Sequence, residues 1–187
     1  MLNDIYCFLR SLVSRRSPSD RGEFIAKFAS ATPVSAAEVE RMKNQLNVND
    51  RDAVRATLLT HVYGIRLALR GTAARKIIRS TSTDKFEAEM LQKFVQASLR
   101  KLHKEDEPII VFRELAELMK DLDVAFHASS PDTKDPFFAV TKRFLQAFRC
   151  PWPADIAVMT HITGAIGVNM KATDEMFGAL YNNGYRF

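Results

Sequence analysis

The sequence is poor in the residues that build turn-rich or disulfide-bonded folds. It contains two cysteines, seven glycines and seven prolines in 187 residues. Two cysteines, Cys7 and Cys150, cannot form a disulfide framework or a structural zinc site. The small number of glycines and prolines argues against an all-β sandwich or barrel, because such folds need many turns.

Long apolar runs are also absent. A membrane-spanning helix needs about 20 consecutive apolar residues, and no segment approaches this length. The N-terminal residues "MLNDIYCFLRSLVSRR" place Asp4 where a secretory signal carries positive charge,. We therefore expect a soluble, cytoplasmic protein without a transmembrane segment.

No pattern typical of catalysis or metal binding is present. The four histidines never stand three or four residues apart, which is the spacing of two metal ligands on one helix face,. "GAIG" at 164–167 matches a phosphate-clamping G-x-x-G, but the sequence predicts no sheet beside it. A nucleophilic pairing of Cys150 with a histidine has no local support. We expect no cofactor, no metal and no enzymatic activity, with a small helical enzyme as a competing hypothesis.

Helical periodicity is what the sequence offers in quantity. Apolar residues recur at helical spacing along most of the chain, and the longest clear pattern covers about residues 50–70,. "IIVF" at 109–112 could start a strand, but the pattern that follows favours a helix over about 109–127. "TGAIG" separates a helix near 154–163 from a last helix over 174–181. The sequence thus predicts an all-α protein, a compact bundle of about eight or nine helices with little or no sheet.

The connections between these segments are mostly short, so we expect a single helical domain over residues 1–187. Residues 1–22 form a candidate N-terminal helical arm. The charged segment "KEDEP" at 104–108 is a weak candidate for a sub-domain break.

The distribution of charge is uneven. The net charge of +5 combines a basic first part with an acidic second part. Residues 1–104 carry 19 lysines and arginines against 10 acidic residues, whereas residues 105–187 carry 8 against 12. This segregation indicates two kinds of surface rather than uniform basicity.

The clearest basic stretch lies between Ala53 and Thr83, where six residues are cationic and none is acidic. On a helix over 50–70, Arg55, Arg66 and Arg70 fall beside the apolar face, with Tyr63 at the edge. These positions predict a surface that binds nucleic acid, RNA in preference, with cations on phosphates and Tyr63 stacking on a base. The predicted binding residues are Arg51, Arg55, Tyr63, Arg66, Arg70, Arg75, Lys76 and Arg79.

Other arrangements of the same residues remain open. The arginines could dock an acidic protein partner, as in an interaction adaptor. We also expect a homo-oligomer, in which the arginines meet the acidic stretch 105–123 of another copy head to tail and many copies line a nucleic acid, as in a nucleocapsid-like or strand-sequestering protein. Alternatively, 105–123 folds back on 53–79 within one chain, or the arginines simply face water.

Overall fold

Every regular element is an α-helix in the part of the chain that the structure describes. The computed structural model describes residues 21–78, 83–104, 106–128 and 136–185. These ranges contain α1 (Arg21–Ala31), α2 (Ala36–Leu46), α3 (Asp50–Leu69), α4 (Thr72–Ile77), α5 (Thr83–Lys101), α6 (Pro108–Ala128), α7 (Pro136–Ala147) and α8 (Ile156–Asn182). The all-α prediction is confirmed, and "IIVF" belongs to a helix. Most of the predicted N-terminal arm, residues 1–20, lies outside the described residues.

Helix α3 is the centre of the bundle. Its residues 53–65 are all buried, so apolar and small side chains on every side of the helix contact other helices,. Helices α2, α5, α6 and α8 all pack against it. Asn49 begins the helix by accepting a hydrogen bond from the Asp52 amide through its side chain, at 2.9 Å,.

Helices α3 and α8 approach each other closely at Gly64. A Cβ atom added to Gly64 would lie 2.6 Å from the Ile166 carbonyl oxygen and 2.7 Å from Asn169 Cβ. Only a residue without a side chain allows the two backbones to come this close. Gly64 therefore sets the distance between α3 and α8 at this point of the bundle.

The prediction of two C-terminal helices separated at "TGAIG" is wrong. Helix α8 runs without interruption from Ile156 to Asn182. A glycine inside a helix costs about 1 kcal/mol relative to alanine, and burial of Ile162, Ile166 and Phe177 on the inner face offsets that cost,. Gly164 and Gly167 are helical residues with open space at their Cβ positions, so they form no phosphate-clamping loop.

The charged segment near 104–108 does not divide the described residues into two cores. Helix α6 begins at Pro108, a position that suits proline because the first helical N–H has no partner within the helix,. Helices α5 and α6, which flank this segment, pack against each other. One buried apolar cluster includes residues of all eight described helices.

The membrane-spanning potential of these helices is low. Within the described ranges, none combines the length and the apolar character needed to cross a bilayer.

Gly64→Ala should destabilise the protein although alanine favours helix formation. The new methyl group would overlap the backbone of α8, and overpacking of this kind costs about 1–3 kcal/mol. Gly178→Ala is the matched control on α8, because its Cβ would meet nothing within 4 Å. Urea unfolding followed by circular dichroism should show lower stability for Gly64→Ala and unchanged or higher stability for Gly178→Ala. Equal stabilities would contradict the close packing of α3 on α8.

Candidate functional site

The basic edge of α3 lies against carboxylates of α5 and α6. Arg66 Nη2 donates a 2.7 Å hydrogen bond to Asp123 Oδ2, and Arg70 Nη1 donates to the same oxygen at 3.0 Å. Arg70 Nε donates to Glu87 Oε2 at 3.1 Å, while Arg66 Nε lies 3.3 Å from Glu87 Oε1. Each arginine therefore contacts both carboxylates, and the Glu87 side chain is only 10% exposed. We call these four residues the ionic cluster.

A second set of ion pairs holds the start of α3. Arg55 Nε donates to Glu114 Oε2 at 2.7 Å, and the Arg55 side chain is 10% exposed. Asp106 lies 3.9 Å from the same guanidinium group. The ionic cluster and the Arg55 pairs together attach one side of α3 to α6 along most of the length of α3.

The basic stretch contains no acidic residue of its own, but Arg55, Arg66 and Arg70 each contact a carboxylate from a later part of the chain. The alternative in which 105–123 folds back on 53–79 within one chain describes what the structure contains. The physical reason is the spacing of acidic residues on α6, which brings Glu114 opposite Arg55 and Asp123 opposite Arg66 and Arg70. Central burial of α3 requires such compensation, because an unpaired buried charge is costly.

Tyr63 does not lie at a surface where it could stack on a base. Its side chain is fully buried, with the hydroxyl group near the Asp123 carboxylate. Burial, together with the nearby negative charge of Asp123, raises the pKa of Tyr63 above its ordinary value. The stacking role predicted for Tyr63 is therefore wrong.

The remaining predicted residues differ in exposure. Arg75 and Lys76 are exposed on α4, and the Lys76 ammonium group lies 5.2 Å from the centre of the Tyr181 ring. Arg51 is 66% exposed, with Glu114 at 4.0 Å. Arg79 lies outside the described residues. The structure thus gathers Arg51, Arg55, Arg66 and Arg70 on α3. Among the described members of the set, Arg51, Arg75 and Lys76 are exposed without a close carboxylate partner, whereas Arg70 is 38% exposed but paired with Glu87 and Asp123.

Most acidic residues of the stretch 105–123 that the structure describes also form ion pairs. Besides the pairs with α3, Glu117 accepts from Lys120 and Asp121 accepts from Arg143, each at 2.7 Å. Among the described residues of 105–123, Glu107 is the acidic residue without an ion pair. Head-to-tail assembly through this stretch therefore has little acidic surface to use.

Unpaired positive charge lies instead where α2 approaches the end of α5. Exposed Arg100, Lys101 and Lys104 follow one another along the chain, and Arg41 of α2 is also exposed. These four residues, the α5 basic patch, have no ion pair with any described residue. Asp50, paired with Lys43 at 2.7 Å, lies within electrostatic reach of Lys104 and marks the edge of the patch.

Arg41 and Lys101 converge on one cleft. The loop before α2 is fixed to α5 because the Val34 amide donates to Ser98 Oγ at 3.1 Å. This contact brings the N-terminal end of α2 beside the C-terminal end of α5 and leaves a cleft of about 610 Å³. The hydroxyl groups of Ser30, Thr32 and Ser35 line it together with the two cations.

The base of this cleft holds a compensated acidic group. Ser35 donates to Glu38 through both its amide, at 2.9 Å, and its hydroxyl, at 2.7 Å. His61 Nε2 lies 3.4 Å from the Glu38 carboxylate, and His61 Nδ1 lies 2.9 Å from the Thr57 carbonyl oxygen. Burial alone would raise the pKa of Glu38, but the hydrogen bonds from His61 and Ser35 lower it to about 2.

A second cavity, of about 330 Å³, lies on the other side of Glu38, Arg41 and His61, between α2, α3 and α8. Most of its surface is apolar, and its polar members include Thr57 and Thr60 of α3 and Thr160, His161 and Asn169 of α8. Burial, and then the positive charge of Arg41, lowers the pKa of His161. At neutral pH this imidazole is therefore uncharged, and it can donate or accept a hydrogen bond.

His61 and Cys150, two candidate catalytic groups, are held in environments that disfavour reactivity. Both ring nitrogens of His61 face acceptors already, which leaves none to act as a general base. Burial raises the pKa of the Cys150 thiol, and the nearby Asp52 raises it further, so the reactive thiolate is disfavoured,. No group of three or more histidine, cysteine or acidic side chains among these residues could hold a metal ion.

Sequence reasoning missed the α5 basic patch although a signal was present. Between Met90 and Lys104 the chain has four lysines and arginines and no acidic residue. The stretch 53–83 was identified as basic by this same property. Arg41 had no such signal, because it stands between Glu40 and Lys43 on another helix. Arg41 and Lys101 come together only in the folded chain, where both line one cleft.

Breaking the ionic cluster should destabilise the protein strongly. Asp123→Asn would leave Arg66 and Arg70 without one of their two carboxylates, and loss of a buried partner costs about 3 kcal/mol. Asp121→Asn, two residues earlier, removes an exposed pair with Arg143 and should cost less than about 1 kcal/mol. Chemical denaturation gives the free energy of unfolding of each variant. Equal losses of unfolding free energy in the two variants would contradict a structural role for the ionic cluster.

The depressed pKa of Glu38 should make stability depend on pH. A carboxyl group whose pKa is lower in the folded state stabilises the protein above its unfolded pKa, about 4.5, and the contribution disappears as the pH falls through about 2,. Glu38→Gln should therefore lose less unfolding free energy than the wild type between pH 4.5 and pH 2. Parallel curves from denaturation at several pH values would show that Glu38 makes no such contribution.

Comparison with known proteins gives the site no counterpart. No protein-family model matches the chain, and neither the curated proteins nor the solved structures contain a significant match. The function must therefore be argued from the chemistry of the residues themselves.

Proposed function

We propose that the protein binds single-stranded nucleic acid, RNA in preference, through the α5 basic patch and without catalysing a reaction. One observation carries the proposal. Arg41 and Lys101 come from two helices and face one cleft, while neither has a carboxylate partner among the described residues. Three of the four α3 arginines predicted to bind phosphate, Arg55, Arg66 and Arg70, are paired with carboxylates within the chain.

The arrangement of charge suits a flexible polyanion. Arg100 and Lys104 extend the positive surface beyond the cleft, and Lys93 is exposed two helical turns before Arg100, on the same face of α5,. Guanidinium and ammonium groups neutralise phosphates and release counterions, which gives affinity without sequence preference. A cleft of about 610 Å³ admits a nucleotide of a flexible strand, whereas a rigid duplex could contact only its rim.

The hydroxyl groups in the cleft favour RNA. Ser30 Oγ donates to the Ala26 carbonyl at 2.9 Å, and Thr32 Oγ1 donates to the Phe28 carbonyl at 3.0 Å. Each hydroxyl hydrogen is thereby used, but each oxygen keeps lone pairs that accept. A ribose 2′-OH can donate to these oxygens, and deoxyribose cannot.

Base stacking is not part of the proposal. Tyr63 is buried, so the aromatic platform expected from the sequence is missing. Binding therefore depends on the backbone and weakens steeply with salt. Self-association remains a prediction that would need another surface, because most acidic residues of 106–123 are paired within the chain.

The Arg100→Gln/Lys101→Gln double variant should bind a fluorescein-labelled oligouridylate more weakly. The slope of log affinity against log salt concentration is negative. It should become less steep by about 0.7 for each lost phosphate contact, hence by about 1.4 for the two. The matched control is Arg75→Gln/Lys76→Gln, which removes the same charge from exposed residues of α4 and should keep the wild-type slope. Fluorescence anisotropy over a range of salt concentrations provides both slopes.

Three outcomes would contradict the proposal. No binding by the wild type at low salt would end it. Equal slopes in the two double variants would mean that net charge, rather than the patch, attracts the RNA. Equal affinity for oligouridylate and poly-glutamate would favour the competing function, an adaptor whose basic surface docks an acidic protein partner.

A further inference from the structure

We infer that the cavity of about 330 Å³ between α2, α3 and α8 is a binding site for a small organic acid with an apolar body. This site lies on the other side of Glu38, Arg41 and His61 from the cleft on which the nucleic-acid proposal depends, and these three residues line both. The inference rests on the shape and lining of the cavity and does not need the proposed function.

The walls of the cavity match an aliphatic or aromatic body. Met42 of α2 and Ala165 and Val168 of α8 supply apolar surface, and Gly164 leaves space because no side chain projects from it. A volume of this size, lined mainly by apolar groups with a few polar ones, is typical of small-molecule sites. Transfer of an apolar ligand body from water to these walls would favour binding.

The polar groups at the edge match a carboxylate. Arg41 has no ion pair with a described residue, and a guanidinium group binds a carboxylate in two parallel hydrogen bonds. Asn169 is 5% exposed and donates from Nδ2 to the Ala165 carbonyl at 2.7 Å, which leaves its Oδ1 without a donor among the described residues. An acid with a hydroxyl or amide group could satisfy that oxygen.

The one acidic side chain in the lining does not oppose this ligand. Glu38 accepts from Ser35 and is paired with His61, so its charge is compensated inside the protein. His161 adds a neutral hydrogen-bonding group. Arg41 is therefore the uncompensated charge of the described lining, and a monoanion would balance it.

Octanoate is a suitable probe, with octan-1-ol as its neutral counterpart. Gly164→Leu fills the cavity from a helical position with open space at Cβ, and should weaken octanoate binding by about tenfold or more,. Gly167→Leu is the matched control, because Gly167 has the same open space one turn later but does not line the cavity. It should stay within about twofold of the wild type. Isothermal titration calorimetry gives the affinities, and circular dichroism checks the fold.

Arg41→Gln tests the carboxylate contact. It should remove the preference for octanoate over octan-1-ol while leaving octan-1-ol affinity unchanged. The Arg100→Gln/Lys101→Gln variant should keep octanoate binding, so failure of this inference is distinguishable from failure of the nucleic-acid proposal. If Gly164→Leu loses its helical signal, Val168→Phe fills the cavity from a side chain that is 43% exposed. Absence of octanoate binding to the wild type, or equal weakening in Gly164→Leu and Gly167→Leu, would overturn the inference.

Discussion

The neutralisation of α3 is the interaction on which the rest of the structure depends. A helix that is buried over residues 53–65 can keep arginines at its two ends only if carboxylates reach them,. Helix α6 supplies Glu114 and Asp123, and α5 supplies Glu87. These contacts fix α5 and α6 beside α3, and the position of α5 in turn brings Lys101 to Arg41. The position of the α5 basic patch thus depends on the ion pairs that the largely buried arginines of α3 form.

The periodicity of apolar residues predicted most helices correctly, because the apolar residues that form the buried face of a helix lie within that helix's own segment of sequence. Helix α6 is an example, since Leu115, Met119 and Leu122 are all buried as their spacing indicates,. The division of α8 was wrong because glycine penalties are local, whereas the burial that outweighs them comes from α3 and other helices distant in sequence. The helix that the pattern divided is the longest of those described.

The candidate site was predicted poorly, for a related reason. A run of cations is visible in sequence, but its partners Glu114 and Asp123 lie more than fifty residues later, and spacing alone does not pair them. The competing possibility, that 105–123 folds back, used the same residues and was equally consistent with composition. The cleft joins the loop before α2 to the end of α5, and the cavity joins α2, α3 and α8. Neither can be read from any one segment.

The ionic cluster also restricts how this sequence can change over evolutionary time. Arg66, Arg70, Glu87 and Asp123 share their contacts, so replacement of one leaves another charge poorly paired in a largely enclosed place,. Drift at these four positions should therefore be concerted, with apolar sets replacing the charged set as a whole. Exposed cations such as Arg100 have no ion pair with a described residue, so a change at one of them leaves no other charge of the fold unpaired.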